Sequence, residues 1–348
     1  MTILRWVASL GLIFLGLGLF AGLIWISNPK LVWEELKAVG VLGFLAVVGD
    51  MVLSFLAWTW SWFILLRGAG IKVRWREVLS PMLAGSAVTY LTPSAYLGGE
   101  PVRAYWVAKG AGVSMAHVMA PTMVERLLGG ISLLFFAAIG GFFALLSPTA
   151  SSATKGAIAL GLVIMTVFLL LGMISFAQNL QWISKVFKAL GRLFRWQGVL
   201  DRLAKSASVM EEQIYQVLSH RLGHVLGSFI LQLVTVFLTY IRPQIFFYFT
   251  KQALFDFPQL SLFFTLNVFI SAFIWLTPGG LGLADGGRAG VFRLLGLSLS
   301  SAFAYNVLFR FVELLQVGLG VYILLRRGLL SWRFGRIRVE VEERKEKK

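Results

Sequence analysis

The chain has 348 residues, of which 58% are hydrophobic and only 14% are charged, and its net charge is +16. Soluble domains carry about 25% charged residues, so this composition excludes an ordinary soluble enzyme or binding domain. The chain contains no cysteine, which excludes a disulfide framework and thiol chemistry.

Apolar runs about as long as a membrane-crossing helix recur along the chain. The first of them is long for a signal peptide and lacks a convincing cleavage site, so it is predicted to be a span. The sequence therefore predicts an all-α integral membrane protein with about six transmembrane helices. The predicted spans are residues 6–26, 41–66, 118–146, 156–177, 222–249 and 300–325.

Two further apolar segments, 78–110 and 259–295, are interrupted by proline and glycine. Each resembles a helix, a turn and a second short helix, and each half is too short to cross a bilayer comfortably. We expect two re-entrant or short spanning hairpins, because broken backbone survives at membrane depth only inside protein or beside a cavity. The predicted turn residues, whose role is mainly structural, are Thr92, Pro93, Gly98, Gly99, Thr277, Pro278, Gly279 and Gly280.

Basic residues are concentrated in alternate connections of the chain. Residues 67–77, residues 179–221 and the segment from Arg326 onward hold most of the lysines and arginines outside the spans. This bias predicts that both termini lie inside the cell. It also indicates that the positive net charge serves attraction to anionic lipid rather than binding of nucleic acid. The segment 179–220 is amphipathic and basic, so it is predicted to lie on a membrane surface.

The two interrupted segments are related to each other by one nearly constant offset. It is 185 residues up to the end of each hairpin and 184 after a single-residue gap. The hairpins are predicted to enter from opposite sides, which makes the halves an inverted repeat, an architecture typical of transporters. The matched residues are Thr92 and Thr277, Pro93 and Pro278, Glu100 and Asp285, Arg103 and Arg288, and Arg126 and Arg310.

The repeat defines the expected domain organisation. Residues 1–330 form one transmembrane domain, followed by a charged cytoplasmic tail at 331–348. Repeat 1 covers about 41–146 and repeat 2 about 222–325. A linker helix and the interfacial segment lie between them, at 156–220.

Charged residues inside the apolar segments are the candidate site. A charge near a helix centre costs about 2.5–3.5 kcal/mol on insertion scales, so it needs a partner or a water-filled cavity. Because arginine binds phosphate bidentately, we predict a lipid headgroup site, with structural ion pairs as the alternative. The candidates are Glu100, Arg103, Arg126, Asp285, Arg288 and Arg310, with Asp50, Glu125 and Glu313 as supporting charges.

The two repeated acids have a second interpretation. If Pro101 begins its helix, Glu100 is the N-cap, and Asp285 is also a suitable N-cap residue. Each acid would then form a surface pair with the arginine three residues later. Alternatively, the acids stand at helix N-termini at the hairpin tips, where an anionic headgroup would bind.

Other polar residues give weaker indications. Asp50 lies inside an apolar span with only a loose counterpart, Gln232, and the sequence names no partner for it. His220 and His224 lack a third ligand, so no metal site is predicted. No nucleotide-binding motif is found, and no cofactor is expected.

Two stretches resemble signatures of the lysylphosphatidylglycerol synthase transmembrane-region family. The first is residues 98–105 (Gly-Gly-Glu-Pro-Val-Arg-Ala-Tyr) followed by 124–127 (Val-Glu-Arg-Leu). The second is residues 277–282 (Thr-Pro-Gly-Gly-Leu-Gly) followed by Asp285, where related sequences often have Glu, and by Arg310. The resemblance covers about residues 5–325 and implies a flippase-like protein. It implies lipid translocation rather than lysyl transfer, because the aminoacyl-transferase domain is not expected here.

The leading hypothesis is a flippase or scramblase that moves a polar or anionic lipid through a cavity between the two hairpins. A lipid gradient or a proton or ion gradient would drive it, because no ATP-binding element is visible. The alternatives are an intramembrane lipid-modifying enzyme and a scaffold for a separately encoded transferase. We expect no enzyme, because no nucleophile–base pair is recognisable. The expected location is the cell membrane, and the lipid and the oligomeric state stay open.

Overall fold

The computed structural model describes eleven α-helices and one short 3₁₀ turn, and no strand occurs among the described residues. The described residues are 18–19, 21–22, 25–26, 28–92, 98–147, 151–194, 197–250, 252, 254–273 and 277–326. The helices are α1 (Pro29–Gly68), α2 (Trp75–Leu91), α3 (Glu100–Ala111), α4 (Met115–Leu146), α5 (Ser152–Ala177), α6 (Trp182–Phe194), α7 (Gln197–His220), α8 (Leu222–Thr250), α9 (Phe257–Phe273), α10 (Leu283–Leu294) and α11 (Leu299–Arg326), and the 3₁₀ turn is Pro278–Gly280.

Five of these helices, α1, α4, α5, α8 and α11, are long and apolar enough to cross a membrane. They coincide with five of the six predicted spans, so the chain is an all-α integral membrane protein. The predicted span 6–26 lies largely outside the described residues, as does the predicted tail. Helix α1 is longer than expected, with 40 residues, and it bends at Gly40, whose φ of 64° is outside the helical region.

Both interrupted segments contain two helices separated by a break, as predicted. In each hairpin the first helix, α2 or α9, has 17 residues and the second, α3 or α10, has 12. A helix of 17 residues is about 25 Å long, which is shorter than the hydrocarbon core of a bilayer. Whether the hairpins are re-entrant or spanning stays a prediction.

The two halves pack against each other through several pairs of helices. Helix α1 packs along α8, α2 packs on α11, and α9 packs on α4. Glycines allow the close approach: a side chain at Gly320 of α11 would meet the backbone of Leu83, and one at Gly140 of α4 would meet the backbone of Ser261. Two halves related by a two-fold axis would give this pattern, while the inverted repeat itself stays a prediction.

Helices α6 and α7 form an antiparallel pair in the segment between the halves. The apolar side of α7 packs on α4 and α5, where Ile214 and Val217 join a buried cluster with Val124 and Phe176. The predicted position of this pair on the membrane surface stays a prediction.

The first hairpin begins at an exposed ion pair. Glu77, in the first turn of α2, accepts hydrogen bonds from the backbone N–H (2.8 Å) and the guanidinium (2.9 Å) of Arg74. The backbone N–H of Arg74 and then its side chain lower the pKa of the Glu77 carboxyl. The bond to the backbone N–H of Arg74 caps the start of α2.

Candidate functional site

The first half joins the predicted acid and arginine of its repeat. Arg126 on α4 forms an ion pair with Glu100 at the start of α3. The carboxylate is buried, whereas the Arg126 side chain is 28% exposed. The guanidinium also lies 5.1 Å from the ring centroid of Trp58 on α1, a cation–π contact. Nε of Arg126 and Oε2 of Glu100 are buried without a hydrogen-bond partner among the described residues.

A second, fully buried pair lies beside the first. Arg103 on α3 donates to Glu125 on α4, and the Arg103 guanidinium lies 4.6 Å from the ring centroid of Trp62. Glu125 also accepts hydrogen bonds from the Trp58 indole N–H and from the Gln232 amide, the latter at 2.9 Å. Because Gln232 belongs to α8, this carboxylate connects the two halves of the chain.

The second half joins the equivalent acid and arginine. Arg310 on α11 binds both carboxylate oxygens of Asp285 on α10, at 3.1 and 3.2 Å. It also donates at 3.1 Å to Glu313, which lies three residues further along the same helix face. The Arg310 side chain is only 7% exposed. A charge this deep is tolerated in a membrane helix because it is paired and hydrogen-bonded.

The matched arginines of the two hairpins, Arg103 and Arg288, occupy equivalent places. Arg288 donates to Asn267 at 3.0 Å and to Asn306 at 2.6 Å, and it lies 3.4 Å from Asp285. Arg103 contacts the sulfur of Met82 at 3.1 Å. Met82 and Asn267 are 185 residues apart, the offset of the repeat, so both arginines turn toward the same position of their hairpin.

The end of α2 touches the turn of the second hairpin, and Arg310 binds both. Its Nη1 donates to the Tyr90 hydroxyl at 3.0 Å, at the end of α2, and to the Gly279 carbonyl at 2.7 Å, in the turn of the second hairpin. Gly279 has a φ of 58°, and a side chain there would collide with the Tyr90 ring. The turn itself is closed by Thr277, whose hydroxyl donates to the Leu281 carbonyl at 2.9 Å.

The turn of the first hairpin is described at its two ends. Thr92 ends α2, and its hydroxyl donates to the Val88 carbonyl at 2.7 Å. Gly99 packs against the backbone of Gly85 and donates its N–H to the Thr89 hydroxyl at 3.0 Å. Gly98 lies next to it, half-buried, and Pro93 lies outside the described residues.

The predicted N-cap positions of the two acids are wrong, although Asp285 does cap the start of its helix from the third position. The residue before α3 is Gly99, so Glu100 is already helical, and α10 begins at Leu283, which places Asp285 in its third position. Asp285 instead accepts the N–H of Gly282 at 3.0 Å. The predicted pair of Glu100 with Arg103 is also wrong, because Arg103 pairs with Glu125. Asp285 and Arg288 do form the predicted pair, at 3.4 Å, but Asp285 is buried rather than at the surface.

Asp50 has a partner that sequence reasoning missed. Arg242 on α8 donates to Asp50 on α1 at 2.9 Å, where the two long helices cross. The second Asp50 oxygen is buried without a hydrogen-bond partner among the described residues. The signal was available, because Arg242 is a charged residue within the apolar span 222–249.

The charged clusters are formed by arginines, carboxylates, amides and aromatic rings. Within the described ranges, no group of three or more His, Cys, Asp or Glu side chains is suited to a metal ion. Such a set of groups is chemically suited to hold a charged phosphate-containing group, because guanidinium ions bind its oxygens.

Comparisons with known proteins agree with this architecture. Residues 13–320 match the family described as the lysylphosphatidylglycerol synthase TM region. A UPF0104 membrane protein of Methanothermobacter thermautotrophicus is 29% identical over 317 residues, which is 87% of this chain and 90% of the relative. A UPF0104 membrane protein of Pyrococcus horikoshii is 24% identical over 336 residues, or 92% of this chain and 97% of the relative. No solved structure matches the chain.

Proposed function

Because the chain belongs to the lysylphosphatidylglycerol synthase TM region family, we propose that it moves a polar or anionic lipid between the two leaflets of a membrane. The lipid headgroup would pass between the two helical hairpins, and the cell membrane is the proposed location. The family and the multi-pass fold support a membrane role, and the transport step is our inference from the charged clusters.

One observation carries this proposal. Each half holds an acid–arginine pair at the same place, Glu100 with Arg126 and Asp285 with Arg310, where the second helix of a hairpin meets the last helix of its half. A scaffold would not need paired charges at matching positions in two halves, since each buried charge costs free energy. A carrier of a charged headgroup needs binding groups on both sides of its path.

Arg126 is the residue proposed to contact the headgroup first. Its side chain is the more exposed of the two, and its Nε has no hydrogen-bond partner among the described residues. A phosphate can bind the guanidinium through two oxygens, whereas Glu100 binds it through one. The Trp58 ring would hold the guanidinium in place while its partner changes.

The driving force is proposed to be the lipid gradient itself, or a proton or ion gradient. The alternatives are a lipid-modifying enzyme and a scaffold for a separate transferase. An enzyme would change the mass of the lipid, whereas a transporter changes only its leaflet. Both quantities can be measured in the same preparation.

The test is lipid exchange in proteoliposomes. Purified protein would be reconstituted with a fluorescent phosphatidylglycerol, and the leaflet exposed to a membrane-impermeant quencher would be followed over time. We expect wild type to accelerate exchange, and Arg126→Gln to slow it about tenfold or more, because the headgroup loses its charged partner. Mass spectrometry of the recovered lipid should show an unchanged mass.

Arg74→Gln is the matched control, because it removes the same charge from an exposed residue at the start of α2. It should leave exchange unchanged. If wild type matches empty liposomes with several headgroups, with and without a pH gradient, the transport proposal is rejected. A changed lipid mass would instead favour the enzyme.

A further inference from the structure

Helix α6 has three distinct faces. Positions three, four, seven and eight residues apart share a face of a helix, which separates the side chains of α6 into three rows. The inner row packs toward α7, an outward row is apolar, and the other outward row is basic. The inner row is Ile183, Phe187 and Gly191, the apolar row is Trp182, Val186 and Leu190, and the basic row is Lys185, Lys188 and Arg192.

The rotation of α6 is fixed by a buried carboxylate on α7. Glu211 accepts the backbone N–H groups of Ile183 at 2.8 Å and Ser184 at 3.2 Å, at the start of α6. A carboxylate at a helix N-terminus satisfies unpaired N–H groups and opposes the positive end of the helix dipole. Buried Ala204 and Ala207 lie on the same side of α7 as Glu211, which lets the helices approach closely. The two outer rows are therefore held outward.

The outward apolar row consists of large, exposed side chains. Trp182 and Val186 are each 46% exposed and Leu190 is 37% exposed. A transmembrane helix would be apolar on all sides, and a helix in water would not keep a row of large apolar residues outside. An exposed apolar row beside a basic row is typical of a helix that lies in the plane of a membrane surface.

The charges on α6 are all of one sign. The helix contains no Asp or Glu, and none of its three basic side chains forms an ion pair with the described residues. Unpaired cations beside an inserted apolar row are complementary to lipid phosphates in an anionic leaflet. Each such cation strengthens attachment by about fivefold.

We propose that α6 is a docking site for anionic phospholipid, distinct from the arginine clusters between the hairpins. Lys185, Lys188 and Arg192 bind the headgroup phosphates, while Trp182 and Val186 insert at the boundary of the acyl chains. The site does not depend on the transport proposal. It would gather anionic lipid next to α4, because α7 joins α6 to the part of α4 that carries Arg126.

The test uses the absence of native cysteine. A single Val186→Cys substitution would carry a nitroxide label, in nanodiscs of phosphatidylcholine alone or of phosphatidylcholine mixed with phosphatidylglycerol. Collision of the label with oxygen reports lipid, and collision with a water-soluble nickel complex reports water. We expect the label to shift toward oxygen in the anionic nanodiscs. When Val186→Cys is combined with Lys185→Gln, Lys188→Gln and Arg192→Gln, the collision rates of the label in anionic nanodiscs should return to those in phosphatidylcholine alone.

The matched control is Lys30→Gln, Lys37→Gln and Lys155→Gln, which removes three positive charges without changing α6. In this control, the label should still shift toward oxygen in anionic nanodiscs, as it does with Val186→Cys alone. Circular dichroism and gel filtration would establish that every variant is folded. A label with the same lipid contact in both nanodiscs, or one that ignores the three α6 substitutions, would overturn the proposal. Either result would point to burial by protein or to apolar insertion alone.

Discussion

The two halves hold their equivalent arginines, Arg126 and Arg310, in different ways. Arg126 has one carboxylate partner and an aromatic ring, and 28% of its side chain is exposed. Arg310 is held by Asp285 through two bonds and by three further acceptors, and 7% of its side chain is exposed. The difference arises from neighbours. Gly129 stands where Glu313 stands in the second half, and in place of a second acid it makes room for the amide of Gln232.

This difference indicates a division of labour under the transport proposal. A phosphate that binds Arg126 replaces a single ion pair, whereas one that binds Arg310 must break bonds to both hairpins. Arg126 therefore suits a headgroup contact. Arg310 suits a structural role as a tie, meaning a residue that links the two hairpins, because it binds both Tyr90 of the first hairpin and Gly279 of the second.

The largest expected effect comes from removing the acid of the more buried pair. Asp285→Asn removes the carboxylate that binds Arg310 through two bonds and leaves Glu313 as its remaining carboxylate partner, and we expect a loss of about 3–5 kcal/mol in the free energy of unfolding. Glu100→Gln should cost less, about 1.5–3 kcal/mol, because part of Arg126 is exposed and keeps its solvation. Chemical denaturation in detergent would measure both.

Glu34→Gln is the control for that comparison, because this exposed residue on α1 carries the same charge. It should change stability by less than about 0.5 kcal/mol. Equal losses for Asp285→Asn and Glu100→Gln would mean that the two pairs are equally important to the fold, and the proposed division would fail.

Much of this arrangement could be predicted from sequence, and the limits have a physical cause. Apolar length predicted six spans, of which the five that lie on described residues are confirmed, and the repeat predicted which acids and arginines are equivalent. Both are local or periodic features of the sequence. The partners Arg242 and Tyr90 were missed because they come from helices distant in the chain. The N-cap prediction failed because Gly99 and Gly282 precede the helices, so α3 starts at its acid and α10 starts two residues before its acid.

The second prediction concerns the contacts between the halves, where α2 packs on α11 and α9 packs on α4. Gly320→Ala would push a methyl group against the backbone of α2, and Gly140→Ala would push one against the backbone of α9. Each should lower the free energy of unfolding by about 1–3 kcal/mol, the cost of overpacking. Similar losses at both sites would strengthen the comparison of the halves.

Gly318→Ala is the matched control on α11, because nothing lies within reach of the added methyl group. Alanine favours the helix over glycine, so this variant should be neutral or more stable by up to about 1 kcal/mol. If Gly320→Ala behaves like Gly318→Ala, α2 and α11 are not packed as closely as described.

The smallest expected effect separates a tie from a headgroup contact. Tyr90→Phe removes one acceptor from Arg310, which keeps Asp285, Glu313 and the Gly279 carbonyl, so we expect a loss of about 1.5 kcal/mol in stability. If lipid passes between the hairpin tips, weakening their contact should also speed exchange in proteoliposomes. Tyr322→Phe, at an exposed tyrosine of α11, should change neither quantity. Slower exchange with unchanged stability would instead assign Tyr90 to headgroup binding, and Arg310 would then be the second arginine of the lipid path rather than a tie.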